Sequence, residues 1–509
     1  MSKPSSDNLF DLFRAAAPAD PGAVLLRTLD GCEHTYGDAW RESARIATCL
    51  TRLGARPGDR VTVQVEKSPQ VLWLYLACLR AGLVYHPLNT AYQAAEVEYF
   101  LTDAEPAIAV CTANSLPLYS TLAPASGIAH LLTLDADGSG SLAAAAADCP
   151  DGFETVARDQ DDLAALLYSS GTTGRPKGIM LSHGNLASNA GTLVELWEFT
   201  ASDRLLHTLP VFHVHGLFVA THCALLSGAS MCWLDRFDPR DVLSCLPDCS
   251  VMMGVPTYYT RLLAEPDFRR EVCANMRLFI SGSAPLLAET FDEFEQRTGH
   301  AIVERYGMTE TGMNTSNPVR GERRAGTVGP PLPGVEVRVV DGAGNILAAG
   351  ETGDLQVRGP NVFRGYWRMP DKTREDFTAD GFFNTGDKAV ISEDGYVSIV
   401  GRAKDMIITG GLNVYPKEIE QLIDGMEGVA ESAVIGVSHP DFGEAVLAVI
   451  VPGAEGALDE EAVIAACRAR MANFKVPKRA FFVSELPRNT MGKVQKNLLR
   501  EQYADTFAT

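Results

Sequence analysis

Short apolar runs that stop at turns rich in Gly, Ser and Thr recur along this chain, and they narrow its fold more than any other feature. LAALLYSS runs into GTTGRPKG (171–178), MRLFI into SGSAPL (281–286), and AIVERY into GMTETG (307–312). Continuous apolar runs of this length read as strands buried on both faces, and the amphipathic segments between them read as helices. The expected fold class is therefore α/β with parallel-rich sheets. In open sheets of this kind ligands collect beyond the carboxyl ends of the strands, so the three loops are expected to line one cleft.

A chain of 509 residues is too long for a single compact core. The patterning changes near GRAKDMIITGG, after which helices and strands of modest length run to the end. Two domains are expected, a large one over 1–401 and a small α+β one over 402–509. No internal repeat is evident. DADGSGSLAAAAADCPDGFE (135–154) reads as a surface loop or a loosely packed helix between two sheet regions.

With 44 basic and 64 acidic residues the net charge is -20, which disfavours general binding to nucleic acid. An anionic ligand must then be held by local cations or backbone N–H groups. Eleven scattered cysteines without a CxxC suggest neither a disulfide framework nor a zinc site, and reduced thiols in the cytoplasm are expected. MSKPSSDNLFDLF has neither the basic start and apolar run of a signal peptide nor the arginines of a transit peptide. The most apolar window, VLWLYLACLRAGLVYHPL, is interrupted by Arg80 and His86 and reads as a packed helix followed by a strand, not as a membrane insertion.

YSSGTTGRPKG has the composition of a phosphate cradle. Its glycines let N–H groups approach an anion, Ser169, Ser170, Thr172 and Thr173 offer hydroxyls, and Lys177 adds charge. It is not a Walker A loop, since Lys177 is followed by Gly178. In VERYGMTETG, Arg305 follows a buried-strand pattern and precedes a Tyr-Gly turn. Long charged side chains are rarely buried without a partner, and Glu304 is a poor one because adjacent strand residues face opposite sides.

YSSGTTGRPKG, YGMTE, NTGDKA (384–389), GRAKDMIITGGLNVYPKEIE (401–420) and PRNTMGKVQK (487–496), in this order, resemble the adenylate-forming superfamily of acyl-CoA synthetases, adenylation domains and luciferases. FHVHGL, ERYGMTET and GPNVFRGYWRMP, with the PRNTMGKVQK ending, are similar to the malonyl-CoA synthetases within it. The resemblance implies a large AMP-binding domain, a mobile small domain, and a two-step reaction. A carboxylate attacks the α-phosphate of ATP to give an acyl-adenylate and pyrophosphate, and the thiol of coenzyme A then displaces AMP.

By the same resemblance Lys493 bridges the reacting anions, Glu310 helps hold Mg2+, and Thr309 donates to the α-phosphate. Asp387 accepts the ribose hydroxyls, with Arg402 as a second ribose contact. Gly282, Ser283, Ala284 and Pro285 lie against adenine, Tyr306 stacks on it or merely packs in the core, and Gly307 and Met308 are further nucleotide-binding positions. Lys404 falls at the hinge between the domains. His213 matches a position beside the acyl pocket, and His215 is either a pocket residue or a satisfied core histidine. Many relatives carry a small residue before YGxTE where the acyl chain enters. A guanidinium there repels an apolar tail but pairs with a second carboxylate, with Ser281 and His213 completing the site.

The implied activity is ligation of malonate to coenzyme A, with ATP and Mg2+. Methylmalonate or another short acid, the loading of a carrier protein by a stand-alone adenylation module, and nucleotide binding without turnover stay open as alternatives.

Overall fold

The computed structural model describes residues 6–169, 176–409, 412–439, 442–453, 458–471, 473–489 and 492–507. Among them the strands form four sheets. An eight-stranded sheet runs Gly312–Ser316, Val303–Met308, Leu278–Ser281, Val251–Gly254, Arg204–His207, Ser230–Trp233, Val24–Thr28, Glu33–Thr35. Its six inner strands are parallel, and the strand at each edge is antiparallel. A six-stranded sheet runs His130–Thr133, Ile108–Cys111, Arg60–Gln64, Val84–Pro87, Leu163–Ser169, Lys177–Ser182, parallel except for its last pair. The expected parallel-rich α/β class is what is found.

Most inner-strand positions are apolar because helices cover both faces of the sheets, with Glu304 and Arg305 of Val303–Met308 among the exceptions. Ile108–Cys111, Val251–Gly254 and Leu278–Ser281 are buried at every position. One continuous core joins the two parallel sheets: Val61, Val63 and Leu167 of one pack in the same cluster as Leu205, Val251 and Ile280 of the other. The apolar window near residue 75 is a helix, Pro69–Arg80, followed by the strand Val84–Pro87. Ser68 caps that helix by accepting from the N–H of Val71, and Pro69 opens it. Arg80 is buried with its terminal nitrogens paired, donating to the carbonyls of Trp40 and Phe153 at 2.7 Å each, while its Nε has no partner. No helix among the described residues is long and apolar enough to cross a membrane.

The low-complexity stretch contains a helix, Ser141–Ala147, which connects two strands of the six-stranded sheet and buries Leu142 and Ala146. One local expectation fails at Tyr306-Gly307. The strand Val303–Met308 continues through it, paired antiparallel with Gly312–Ser316, and the reversal lies at 309–311. Gly307 serves the pairing instead: a Cβ there would stand 2.1 Å from the carbonyl oxygen of Gly312.

A four-stranded antiparallel sheet, Glu336–Val340, Gly353–Arg358, Phe383–Ile391, Val397–Arg402, leads to the small α+β unit. Arg402 is still the last residue of its strand, and 403–406 pass to Ile407–Thr409, the next sheet. That five-stranded sheet has its own apolar clusters, one around Ile419, Val434 and Val463 and another around Ile435, Leu447 and Leu499. The small unit thus packs around clusters of its own.

Candidate active site

A cavity of about 1050 Å³ opens at the carboxyl ends of strands from both parallel sheets. Pro87–Asn89 line it from the end of Val84–Pro87, Ser283 from just beyond Leu278–Ser281, and Gly307–Glu310 from the end of Val303–Met308. Residues 212–215 form a further wall, and Arg488, Asn489, Lys493 and Gln495 reach in from the small unit. Among the described lining residues seven are Lys or Arg and three are Asp or Glu, so a chain of net charge -20 encloses a cationic chamber. Low-dielectric walls strengthen such a field and favour a polyanion.

The structure brings Lys177, His213, Ser283, Arg305, Gly307, Met308, Thr309, Glu310, Arg402, Lys404 and Lys493 together around this space. Asp387 and Tyr306 join it through hydrogen bonds. The Tyr306 hydroxyl donates to the Asp387 carboxylate at 2.5 Å, and Arg402 lies 3.3 Å from the other Asp387 oxygen. The Tyr306 ring also packs against the cluster of Val339, Leu355, Ala389 and Val397. Of residues 282–285 only Ser283 lines the cavity; Ala284 is half-buried and Pro285 exposed. Ser170, Thr172 and Thr173 lie outside the described residues, and of Ser169 only the backbone, in its strand, is described.

Lys493 is held by a tight reversal. Asn489 donates its N–H to the Lys493 carbonyl at 2.9 Å, and its side-chain oxygen accepts from the Lys493 N–H at 3.0 Å. Gly492 has φ +71°, and a Cβ on it would stand 3.0 Å from the Thr257 hydroxyl, so this turn sits directly against the large unit. Burial, then the nearby Arg402, lowers the Lys493 pKa to about 8. Burial raises that of Glu310, against the pull of Arg402 and Lys177. A buried carboxylate beside a polyanion site suits one hard cation.

Arg305 is the least satisfied group in the chamber. It is 3% exposed, and its Nε and Nη2 have no hydrogen-bond partner. Glu304 faces the other way, close to the backbone N–H groups of Gly326 and Leu286, and burial raises its pKa to about 8. Desolvation lowers the Arg305 pKa to about 9, which leaves a buried cation at neutral pH with no anion paired to it among the described residues. Its guanidinium lies flat on Gly282: a Cβ there would meet Cζ at 2.4 Å.

The two histidines near it are neutral. His213 Nδ1 accepts from the His215 N–H at 3.2 Å, and burial with Lys493 and Arg305 nearby lowers its pKa to about 3. His215, left open between pocket and core, lines the cavity, and its Nδ1 is 3.2 Å from the Ser283 hydroxyl. Ser283 makes that contact from φ +71°, a strained backbone for a residue with a Cβ. His215 Nε2 and the buried Ser281 hydroxyl also lack partners, although Ser281 itself is not a lining residue. Several unsatisfied donors thus cluster around Arg305, an arrangement suited to a carboxylate.

Lining residues that sequence reasoning passed over include Asn384, Thr385 and Gly386, inside the quoted NTGDKA motif, and Arg488 and Asn489, inside PRNTMGK. Their motifs were the available signal. Tyr366, inside the quoted GPNVFRGYWRMP, had the same signal; it stacks under Lys177, with Nζ 4.2 Å from the ring centre.

The contact of Gly282 with Arg305 makes a testable prediction. Gly282→Ala pushes the guanidinium off its place by about 1 Å, and a shift of that size is expected to cost about 100-fold in kcat/KM for the carboxylic acid. The KM for ATP should move far less than that for the acid. Steady-state kinetics in both substrates decide it, and an equal loss for both would show that the glycine serves the fold.

The AMP-binding enzyme family model matches residues 13–367, and the AMP-binding enzyme C-terminal domain model matches 418–493. The chain is 36% identical over 491 residues to a feruloyl-CoA synthase of Amycolatopsis sp, covering 96% of this chain and 97% of that one. It is 33% identical over 548 residues to a malonate–CoA ligase of Arabidopsis thaliana, covering 97% and 89% respectively. Among solved structures, ATP-bound MatB from Rhodopseudomonas palustris is 53% identical with a TM-score of 0.96, covering 99% of this chain and 100% of that one. Apo MatB from the same organism superposes with a TM-score of 0.86 at the same coverage.

Proposed function

Because the chain belongs to the AMP-binding enzyme family, we propose that it ligates malonate to coenzyme A through a malonyl-adenylate, releasing AMP and pyrophosphate. The observation that carries the choice of acid is Arg305, buried in the chamber with Nε and Nη2 unpaired. One malonate carboxylate pairs with this guanidinium and leaves the other free to react. A feruloyl group has no second anion, and its ring would strand the same charge. Neutral His213 and His215 add donors without competing for the cationic charge.

In the first half-reaction a malonate carboxylate oxygen forms a bond to the α-phosphorus while the bond to the pyrophosphate oxygen breaks. Two like-charged groups must approach, so the role we assign to Lys493 is to sit between them, with Thr309 donating to the α-phosphate. Asp387 accepts the ribose hydroxyls, with Arg402 beside it, and the Tyr306 hydroxyl orients Asp387. Tyr306 also stacks on adenine, against the segment that begins at Gly282. Lys177, with Ser169, Ser170, Thr172 and Thr173, holds the outer phosphates. Mg2+, which the buried Glu310 carboxylate fits, would neutralise phosphate charge when bound. In the second half-reaction the coenzyme A sulfur attacks the malonyl carbonyl, and AMP leaves.

On this reading the chain divides into an AMP-binding domain to about residue 401 and a small domain from about 402 that turns at Lys404. Lys404 sits in the short connection between two sheets, which supports that role. Lys404→Pro fixes φ near about -65° and stiffens the connection. Single-turnover assays should then show adenylate accumulating with little thioester; unchanged overall turnover would place the swing elsewhere. The cytoplasm is the compartment we propose, on the free state of all eleven cysteines.

A pyrophosphate-release screen of short mono- and dicarboxylic acids with ATP, Mg2+ and coenzyme A tests the assignment. Malonate should give the highest kcat/KM, with methylmalonate next. A preference for acetate, propionate or ferulate would overturn it, and turnover that needs an added carrier protein in place of coenzyme A would move the chain to carrier loading.

A further inference from the structure

We propose that Lys67 and His207 are positioning residues that set the histidine-bearing wall of the acyl pocket, an inference that rests on reading the Arg305 end of the chamber as the acid site. Neither lines the chamber. Lys67 follows the strand Arg60–Gln64 of the six-stranded sheet, while His207 ends the strand Arg204–His207 of the eight-stranded one. They meet where the two sheets share their core. Lys67 Nζ donates to His207 Nδ1 at 2.9 Å and to the His207 carbonyl at 2.8 Å, and stands 4.4 Å from the Trp233 ring centre. These partners are all uncharged, although Lys67 is only 8% exposed.

A buried amine that makes no hydrogen bond to a carboxylate is costly to keep, with Asp235 acting on it only through its field at longer range, so what it enforces matters. The far ring nitrogen of His207, Nε2, is 3.0 Å from the Gly216 carbonyl oxygen and 3.0 Å from the Thr221 hydroxyl. The Gly216 carbonyl can only accept, so Nε2 carries the proton and Nδ1 is left to accept from Lys67. Lys67 thereby selects the tautomer that ties residue 207 to residue 216. The segment closed by that tie contains Phe212, His213, Val214 and His215, all four on the chamber wall. Gly216 is the second residue of an unusual π-helical turn, His215–Thr221, and is pressed so closely on the Pro210 carbonyl that a Cβ would lie 2.1 Å from it. The Thr221 hydroxyl also donates to the Gly216 carbonyl and the Leu217 N–H to the His213 carbonyl, so the His207 tie is one of several, and Lys67 fixes its direction from the opposite sheet.

Lys67→Met keeps most of the length of the side chain and removes the donor. KM for the acid that the wild-type enzyme uses best should rise about tenfold, with the KM for ATP within about twofold of wild type. His207→Leu should do the same, whereas His207→Gln, which retains a donor toward Gly216, should recover most of the acid affinity. Kinetics in both substrates are read beside thermal unfolding. The inference is overturned if acid and ATP KM move together, if neither moves, or if His207→Gln is no better than His207→Leu. Failure of both Lys67→Met and His207→Leu to fold overturns it as well, since the pair would then be a requirement of the fold. Because the split is read with the best acid, whichever it is, loss of the malonate assignment leaves this test intact.

Discussion

Arg305→Ala is expected to lower kcat/KM for malonate by two to three orders of magnitude while acetate and propionate lose little or gain. The guanidinium is buried, with Nε and Nη2 unpaired in the free protein. A malonate carboxylate that pairs with it exchanges hydration for a charge-assisted bidentate bond. Removing one partner of a buried ion pair costs about 3 to 5 kcal/mol, and each 1.4 kcal/mol is about tenfold. Arg305→Lys should recover part of the activity, since the ammonium restores charge but not the planar fork. The unpaired cation also predicts that the alanine variant folds at least as stably as wild type, because a buried charge without a counterion has been removed. An equal loss with malonate and propionate, or a large fall in Tm, would make Arg305 a structural residue and remove the main physical support for a dicarboxylate.

Lys493→Ala is expected to abolish adenylate formation, with a loss of at least about 1000-fold, while transfer from supplied malonyl-AMP to coenzyme A stays largely intact. In this structure Lys493 lines the chamber alongside Glu310 and Arg402. A cation there offsets the repulsion between the approaching carboxylate and the polyphosphate, a contribution on the scale of several kcal/mol in a water-poor site. The second half-reaction joins a thiol to a carbonyl and does not bring two anions together. Burial has lowered the Lys493 pKa to about 8, so the ammonium is present below that value and lost above it. The kcat/KM for ATP in the first half-reaction should therefore fall about tenfold per pH unit above pH 8, as the protonated free enzyme disappears. Equal loss of both half-reactions in the alanine variant would remove Lys493 from this role.

Much of this site is legible in the amino-acid sequence because its parts are local. Glycine-rich turns after apolar runs, the carboxylate of Glu310 and the lysine of PRNTMGK are each readable within ten residues, since a strand, a turn and a hydroxyl cluster are made by neighbours in the chain. The alternation of such runs likewise determined the α/β class and the separate small unit. Tertiary structure alone decided what each charge meets. The chain shows that Arg305 follows a buried strand; only packing shows that its guanidinium lies on Gly282 with no acid opposite. His215 became a pocket residue through Ser283, 68 residues away, and Lys67 found His207 across 140. The Tyr306-Gly307 step, a turn by composition, became strand because the neighbouring strand Gly312–Ser316 supplied its hydrogen bonds. Short-range propensity sets which elements form, whereas the partner of a buried polar group is chosen by desolvation, which depends on everything that closes around it.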